Sequence, residues 1–292
     1  MGNRANYAII ERGTTVLGWS RWGATSVVAD LLAGPEAATA ALRPQERPEA
    51  APPDTAEALR WTGVTPVDGL MTDGSCQGAA LIDHDRRVLL AFDEPDDYTT
   101  FVDGLAGLVD AWPGWHVRWA FDGVLDVAAY LGLDRDPLRD TRFPDRQRLA
   151  DLPVPFDGPD EVRPDRPDDW YQGVLSIRRP DDSLDLYLAA DDQTSIAYTT
   201  AAKVEAMAPG FAGLERSELP RWGLHLDQAA RSGALWCIDR LCGALIDTAP
   251  AWPGWSWTLW GADVRRHLDA CAGALRVPPL PGRLRGLTTV GL

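Results

Sequence analysis

Reactive side chains are scarce in these 292 residues, with four cysteines, four histidines and a single lysine. Lys203 therefore offers Schiff-base chemistry only one place to occur. Every other fixed side-chain cation is an arginine, a bias that fits a high-GC bacterial genome better than a mechanism. Cys76, Cys237, Cys242 and Cys271 form no C-x-x-C pair, so a zinc site or a disulfide framework is disfavoured and buried free thiols are expected. His84, His116, His225 and His267 make no H-x-x-x-H or H-E-x-x-H pattern, so no metal is expected. Neither a G-x-x-x-x-G-K-[ST] loop nor a G-x-G-x-x-G turn is present, which removes the usual handles for nucleotide and dinucleotide cofactors. No cofactor is expected.

Long apolar runs are missing too, so nothing in the sequence reads as a bilayer-spanning helix. The opening run Tyr7-Ala8-Ile9-Ile10 is cut at once by Glu11-Arg12-Gly13, too early for a secretory signal. Asn6 stands where a myristoylation signal needs Ser or Thr. The expected address is the cytoplasm, with no membrane partner.

Acid is abundant. Asp and Glu number 43 against 28 Lys and Arg, a formal net charge of −15. That balance repels a phosphate backbone, which argues against nucleic-acid binding, and it attracts a basic protein. Acidity is also an ordinary route to solubility. With 45% apolar residues the chain can bury a core in one large domain or two medium ones.

Thirteen tryptophans are the most informative feature. Trp112-Pro113-Gly114-Trp115 recurs as Trp252-Pro253-Gly254-Trp255, each after a helical pattern and before a strand pattern. Downstream, Trp119-Ala120-Phe121-Asp122 resembles Trp260-Gly261-Ala262-Asp263. The offset changes by one residue between the two matches, which predicts a β-bulge inside one strand. Weaker echoes pair Arg21-Trp22-Gly23 with Arg221-Trp222-Gly223, and Gln77-Gly78 with Gln172-Gly173.

Alternation and turn residues predict three hairpins: Tyr7–Ile10 with Thr14–Trp19, Ala79–Ile82 with Val88–Phe92, and Val174–Ile177 with Leu184–Leu188. Helices are expected over Ala24–Leu32, Tyr98–Ala111, Asp122–Leu131, Ser195–Met207, Ala234–Asp247 and Asp263–Ala272. Asp122 and Asp263 are expected as N-caps, and Gly132 and Gly273 as stops. The fold class is α+β, with mainly antiparallel sheets of hairpin-plus-helix units and internally duplicated halves. The halves are expected over 1–133, including a Pro-rich connector at 43–54, and over 170–292, joined by a Pro/Asp/Arg-rich linker at 134–169.

No motif ties residues to a chemistry. Gly74-Ser75-Cys76-Gln77-Gly78 imitates a nucleophile elbow, but a strand hairpin follows it where a helix is needed. The acidic runs Asp93-Glu94-Pro95-Asp96-Asp97 and Asp191-Asp192 follow predicted strands and precede predicted helices, where capping explains them. A Trp-Pro-Gly-Trp turn repeated at a repeated junction is most simply a packing device. If one copy binds a ligand, the first is favoured, through Trp115, His116, Arg118, Trp119 and Asp122.

Catalytic residues are not assigned. The expected function is a non-catalytic interaction protein, of the immunity or adaptor kind, that neutralises a basic partner. Alternatives are an enzyme with an acid/base site between the repeats, and a small-molecule sensor with a Trp-lined pocket.

Overall fold

A computed structural model describes residues 3–45, 63–139, 156–160, 171–189, 199–240 and 252–283. Its contacts divide the chain into two compact units, one around each large sheet.

The first sheet starts from the hairpin of β1 (Ala5–Glu11) and β2 (Thr14–Ser20). Arg12 and Gly13 turn the chain with φ of 53° and 73°. The Asp85 carboxylate accepts from both of their N–H groups, at 2.8 and 2.7 Å. β3 (Thr65–Pro66) pairs with β2, and β4 (Gly78–Asp83) with β5 (Val88–Phe92) forms a second hairpin. The two hairpins join through a parallel pair, β1 against β4, and β6 (His116–Trp119) adds in parallel to β5. The order is β3-β2-β1-β4-β5-β6. Every residue of β4 and β5 is buried, as continuous apolar strands in a covered sheet should be. Its helices are α1 (Val27–Leu31), α2 (Pro35–Leu42), α3 (Tyr98–Ala111) and α4 (Val124–Tyr130).

In the second sheet, the hairpin of β7 (Gly173–Arg178) and β8 (Leu184–Ala189) meets the hairpin of β10 (Trp222–Asp227) and β11 (Ser232–Cys237). Again the first strands of the hairpins pair in parallel, and β12 (Ser256–Leu259) adds in parallel to β11. The order is β12-β11-β10-β7-β8, and β9 (Leu214–Glu215) pairs separately with β13 (Leu275–Arg276). α5 (Ala201–Glu205) is capped by the Thr200 hydroxyl, which accepts from Lys203 N–H. α6 (Val264–Ala270) is capped by Asp263. Val174, Leu186, Leu188, Leu214, Cys271 and Leu275 form one buried cluster of this unit.

The protein is thus mixed α and β, and several sequence expectations need correction. Both sheets are mixed, because hairpins pair side by side through parallel strands that no short turn connects. The helix expected over Ala234–Asp247 is strand β11 over its first residues, and 241–247 lie outside the described residues. An apolar run such as Ala234-Leu235-Trp236-Cys237 suits either element, and pairing with β10 decides it. Cys237 therefore sits on a strand, buried like Cys76 and Cys271.

No bulge interrupts β6 or β12. Trp119 pairs with Ala91 as Leu259 pairs with Leu235, and Ala120 and Trp260 make the next matching hydrogen bonds. Trp260 is therefore the counterpart of Ala120, not of Trp119. Asp122 does not cap α4: Gly123 occupies the N-cap with φ of 59°, and the Asp122 carboxylate pairs with Arg135.

The helix expected over Ala24–Leu32 is α-helical over Val27–Leu31, and α2, which was not expected, follows it with Pro35 in its first turn. Only Ala201–Glu205 of the helix expected over Ser195–Met207 is helical, and 195–198 lie outside the described residues. Trp22 sits in a turn after β2 while Trp222 opens β10, so that echo marks two different places. No described helix is long and apolar enough to cross a membrane.

Candidate functional site

The residues favoured by the sequence separate into two groups along β6. At its start, Trp115 packs edge-on against Trp112 at 4.8 Å and against His84 at 5.2 Å, between ring centroids. His84 Nε2 reaches the Thr39 hydroxyl at 2.8 Å. His116 and Arg118 are exposed on one strand face; Val117 and Trp119 are buried on the other. Trp119 lies edge-on to Phe101 at 5.0 Å, and its buried indole N–H has no partner.

Beyond the strand, Asp122 N–H donates to Asp126 Oδ2 at 2.8 Å. Burial pushes the Asp126 carboxyl above the usual range, against that hydrogen bond and the nearby charges of Arg135 and Arg118. Arg118 and Asp122 thus share the surroundings of Asp126, whereas Trp115 belongs with His84.

The two Trp-Pro-Gly-Trp turns are built alike. Gly114 and Gly254 both take φ of 77°, a conformation that favours glycine. Trp115 N–H and Trp255 N–H bond back to the carbonyls of Trp112 and Trp252. The leading indoles are wholly buried, and each donates to a backbone carbonyl: Trp112 to Leu31 at 2.7 Å, Trp252 to Thr199 at 2.9 Å.

A polar constellation that the sequence patterns do not announce lies between the second sheet and α6. Ser176 of β7 and His225 of β10 are register partners on the parallel pair. The Ser176 hydroxyl lies 2.8 Å from His225 Nδ1 and 2.7 Å from His267 Nε2, with His267 projecting from α6. Trp236 Nε1 of β11 reaches His267 Nδ1 at 2.9 Å.

An indole N–H can only donate, so His267 Nδ1 accepts and its proton is on Nε2. That N–H donates to Ser176 Oγ, leaving the Ser176 O–H to donate to His225 Nδ1. The chain fixes the tautomer of His267, and with His225 protonated at Nε2 it runs one way, from Trp236 to His267 to Ser176 to His225. Burial lowers the pKa of His225 to about 4, helped by the Arg178 charge and opposed by Asp227. Burial, and then the charge of His225, lower that of His267 to about 3. The Trp260 ring stacks on His225 at 6.0 Å.

Gly223 makes room for this chain, because a Cβ there would overlap His267 Nδ1 and Trp236 Nε1. Gly223→Ala is expected to lower stability by about 3 kcal/mol, the upper end for overpacking. Chemical denaturation measures it, and a neutral effect would contradict the close packing.

The corresponding positions of the first sheet are apolar. Ala8 pairs with Leu81 as Ser176 pairs with His225, and Phe92 pairs with Ala79 as Trp236 pairs with Gly223. Val127 holds the place of His267, since Leu131 N–H bonds to its carbonyl as Cys271 N–H bonds to that of His267. Ala8, Leu81, Val127 and Phe92 are all buried. The second unit thus carries a polar chain where the first is oil.

Ser176 and His267 have no exposure, so neither can meet a substrate directly. What the chain can do is hold protons at defined atoms. The signal for it lay on α6, where Val264, His267 and Cys271 share a buried stripe and put a histidine at a core position. Among the described residues, no group of three His, Cys, Asp or Glu could hold a metal ion.

A second feature belongs to the first unit. A cleft of about 390 Å³ is walled by Asp93, Glu94 and Asp96, with Asn3, Ser26 and Gln77 among its polar lining and no basic side chain among the described residues that line it. Comparison with protein-family models, with curated proteins and with solved structures finds no match.

Proposed function

We propose that this chain is a non-catalytic interaction protein, of the immunity or adaptor kind, whose first unit takes a basic partner protein. The observation that carries this reading is the cleft walled by Asp93, Glu94 and Asp96. Its volume suits an arginine or lysine side chain, and its three carboxylates favour a cation over any other occupant. Asn3, Ser26 and Gln77 add hydrogen-bonding groups around a guanidinium. The net charge of −15 extends the same preference over a distance, steering a basic protein toward the surface before contact.

The common order and sense of the five matching strands, and the matched turns at Gly114 and Gly254, support descent of both units from one duplicated ancestor. On this reading the copies have diverged, the first keeping an apolar sheet and the acidic cleft, the second acquiring a buried polar chain.

The test is affinity purification of tagged protein from its native host at low and high salt, beside a Glu94→Gln/Asp96→Asn variant. A basic protein held by the parent, released by salt, and bound at least about tenfold more weakly by the variant is the expected result. Equal retention by parent and variant, or no basic protein at either salt, would overturn the proposal.

A further inference from the structure

The chain from Trp236 to His225 has two self-consistent hydrogen-bond arrangements. In the neutral one, with the His225 proton on Nε2, the Ser176 O–H points at His225 Nδ1. A proton added to His225 Nδ1 turns that nitrogen from acceptor to donor. Ser176 Oγ has two lone pairs, so it can accept from His267 Nε2–H and His225 Nδ1–H together. Its own O–H must then turn elsewhere, and the Cys271 thiol of the α6 C-terminus stands within hydrogen-bonding reach of it.

The groups around His225 determine how well that added charge is tolerated. Arg178, on the same strand as Ser176, presents a guanidinium that opposes a second positive charge, and Asp227 of β10 favours one. The Arg178 Nη2 also donates to the Ala270 carbonyl at 2.8 Å, tying the last turn of α6 to the sheet. Trp260 covers the ring by stacking, and His267 of α6 faces it across Ser176. A charged imidazolium here lies among the stacked Trp260 ring, the tilted imidazole of His267 and the Arg178 guanidinium. The first sheet shows that the architecture does not need polar groups at these places, since Ala8, Leu81, Val127 and Phe92 fill them. A buried polar network is costly where an apolar core suffices, which points to a use for it.

We propose that Ser176, His225 and His267 form a proton-operated latch: protonation of His225 reverses the Ser176 hydroxyl, and the charge so buried beside Arg178 weakens the hold of that arginine on the Ala270 carbonyl and loosens α6 and the Trp260 stack from the second sheet. The proton comes from solvent and resides on His225, and no covalent bond changes. The latch works independently of the partner-binding reading for the first unit.

The experiment is amide hydrogen exchange of the intact protein at pH 7 and pH 4, corrected for intrinsic rates. α4 of the first unit serves as internal control, because Val127 stands there in place of His267. The expected result is loss of protection in α6 by about a hundredfold at pH 4, with α4 far less affected. In the variant Ser176→Ala/His225→Leu/His267→Val, which copies the first sheet, that loss should disappear. Equal loss in α4 and α6, or a loss that persists in the variant, overturns the latch. Should the variant fail to fold, nitrogen-15 histidine spectra of the parent at pH 7 decide the matter. Both rings protonated at Nε2 and bare at Nδ1 support the latch, and a proton on Nδ1 of either ring overturns it.

Discussion

Acid is expected to unfold the protein from an unusually high pH. Unfolded histidines titrate near pH 6.5, whereas His225 and His267 in the fold do so at about 4 and about 3. Between those values the unfolded chain binds more protons than the folded one, so stability falls as pH falls. The contribution is complete above pH 6.5 and disappears progressively on the way down to the folded values. Each histidine contributes about 1.4 kcal/mol per pH unit in that window. Together they should remove on the order of 4 kcal/mol between pH 6.5 and pH 4.5, a large share of the 5–15 kcal/mol that holds a typical domain.

Glu11, Asp85 and Asp181 also have lowered pKa values, from hydrogen bonds with Arg43, with Gly13 and Arg12, and with Ser183. Their stabilisation is lost only below the ordinary carboxylate range, outside the histidine window, whereas Asp126, raised by burial, acts in the opposite sense and offsets part of the loss. Urea denaturation across the pH series is the measurement. A flat stability between pH 6.5 and 4.5 would show that the two rings are not held neutral by burial.

The second large effect concerns the tryptophan turns. Trp112→Ala should cost about 4 kcal/mol, within the range for emptying a core position of a large aromatic side chain. It empties a wholly buried site and leaves the Leu31 carbonyl without its indole donor. Trp115→Ala, three residues on, should cost only about 1 kcal/mol, because that ring is half-buried and makes only edge contacts. The same contrast is expected between Trp252 and Trp255. Losses of equal size at both positions of a turn would mean that the two rings share the packing load.

Local patterns in the chain were legible to the extent that local forces shape them. Tyr98–Ala111 carries a helical apolar period and is helical over that whole span. Three hairpins announced themselves through alternation and turn residues, since each closes over a few positions. β11 was lost to the helix pattern because Ala234-Leu235-Trp236-Cys237 is apolar without a period of its own. The parallel pairs were invisible, for no neighbouring residue records which distant strand a strand will join. That is also why the buried chain went unread. Ser176 and His225 become neighbours only through the β7–β10 register, and His267 reaches them only once α6 packs over both. That Arg118 and Asp122 both adjoin Asp126, and that Arg135 pairs with Asp122, was not legible in the sequence either.

The parallel joint between hairpins also governs the order in which the chain can assemble. Each hairpin is local and can close within microseconds, yet β1 cannot meet β4, nor β7 meet β10, until a long stretch of chain has been brought round. During synthesis the β1–β2 hairpin therefore leaves the ribosome well before the strand that will cover its inner edge. For that interval the bare edge of β1, with Tyr7, Ala8 and Ile9 along it, is open to any other strand. Variants that slow the arrival of β4 should show their damage in the yield of soluble protein, even where the finished fold is as stable as the parent.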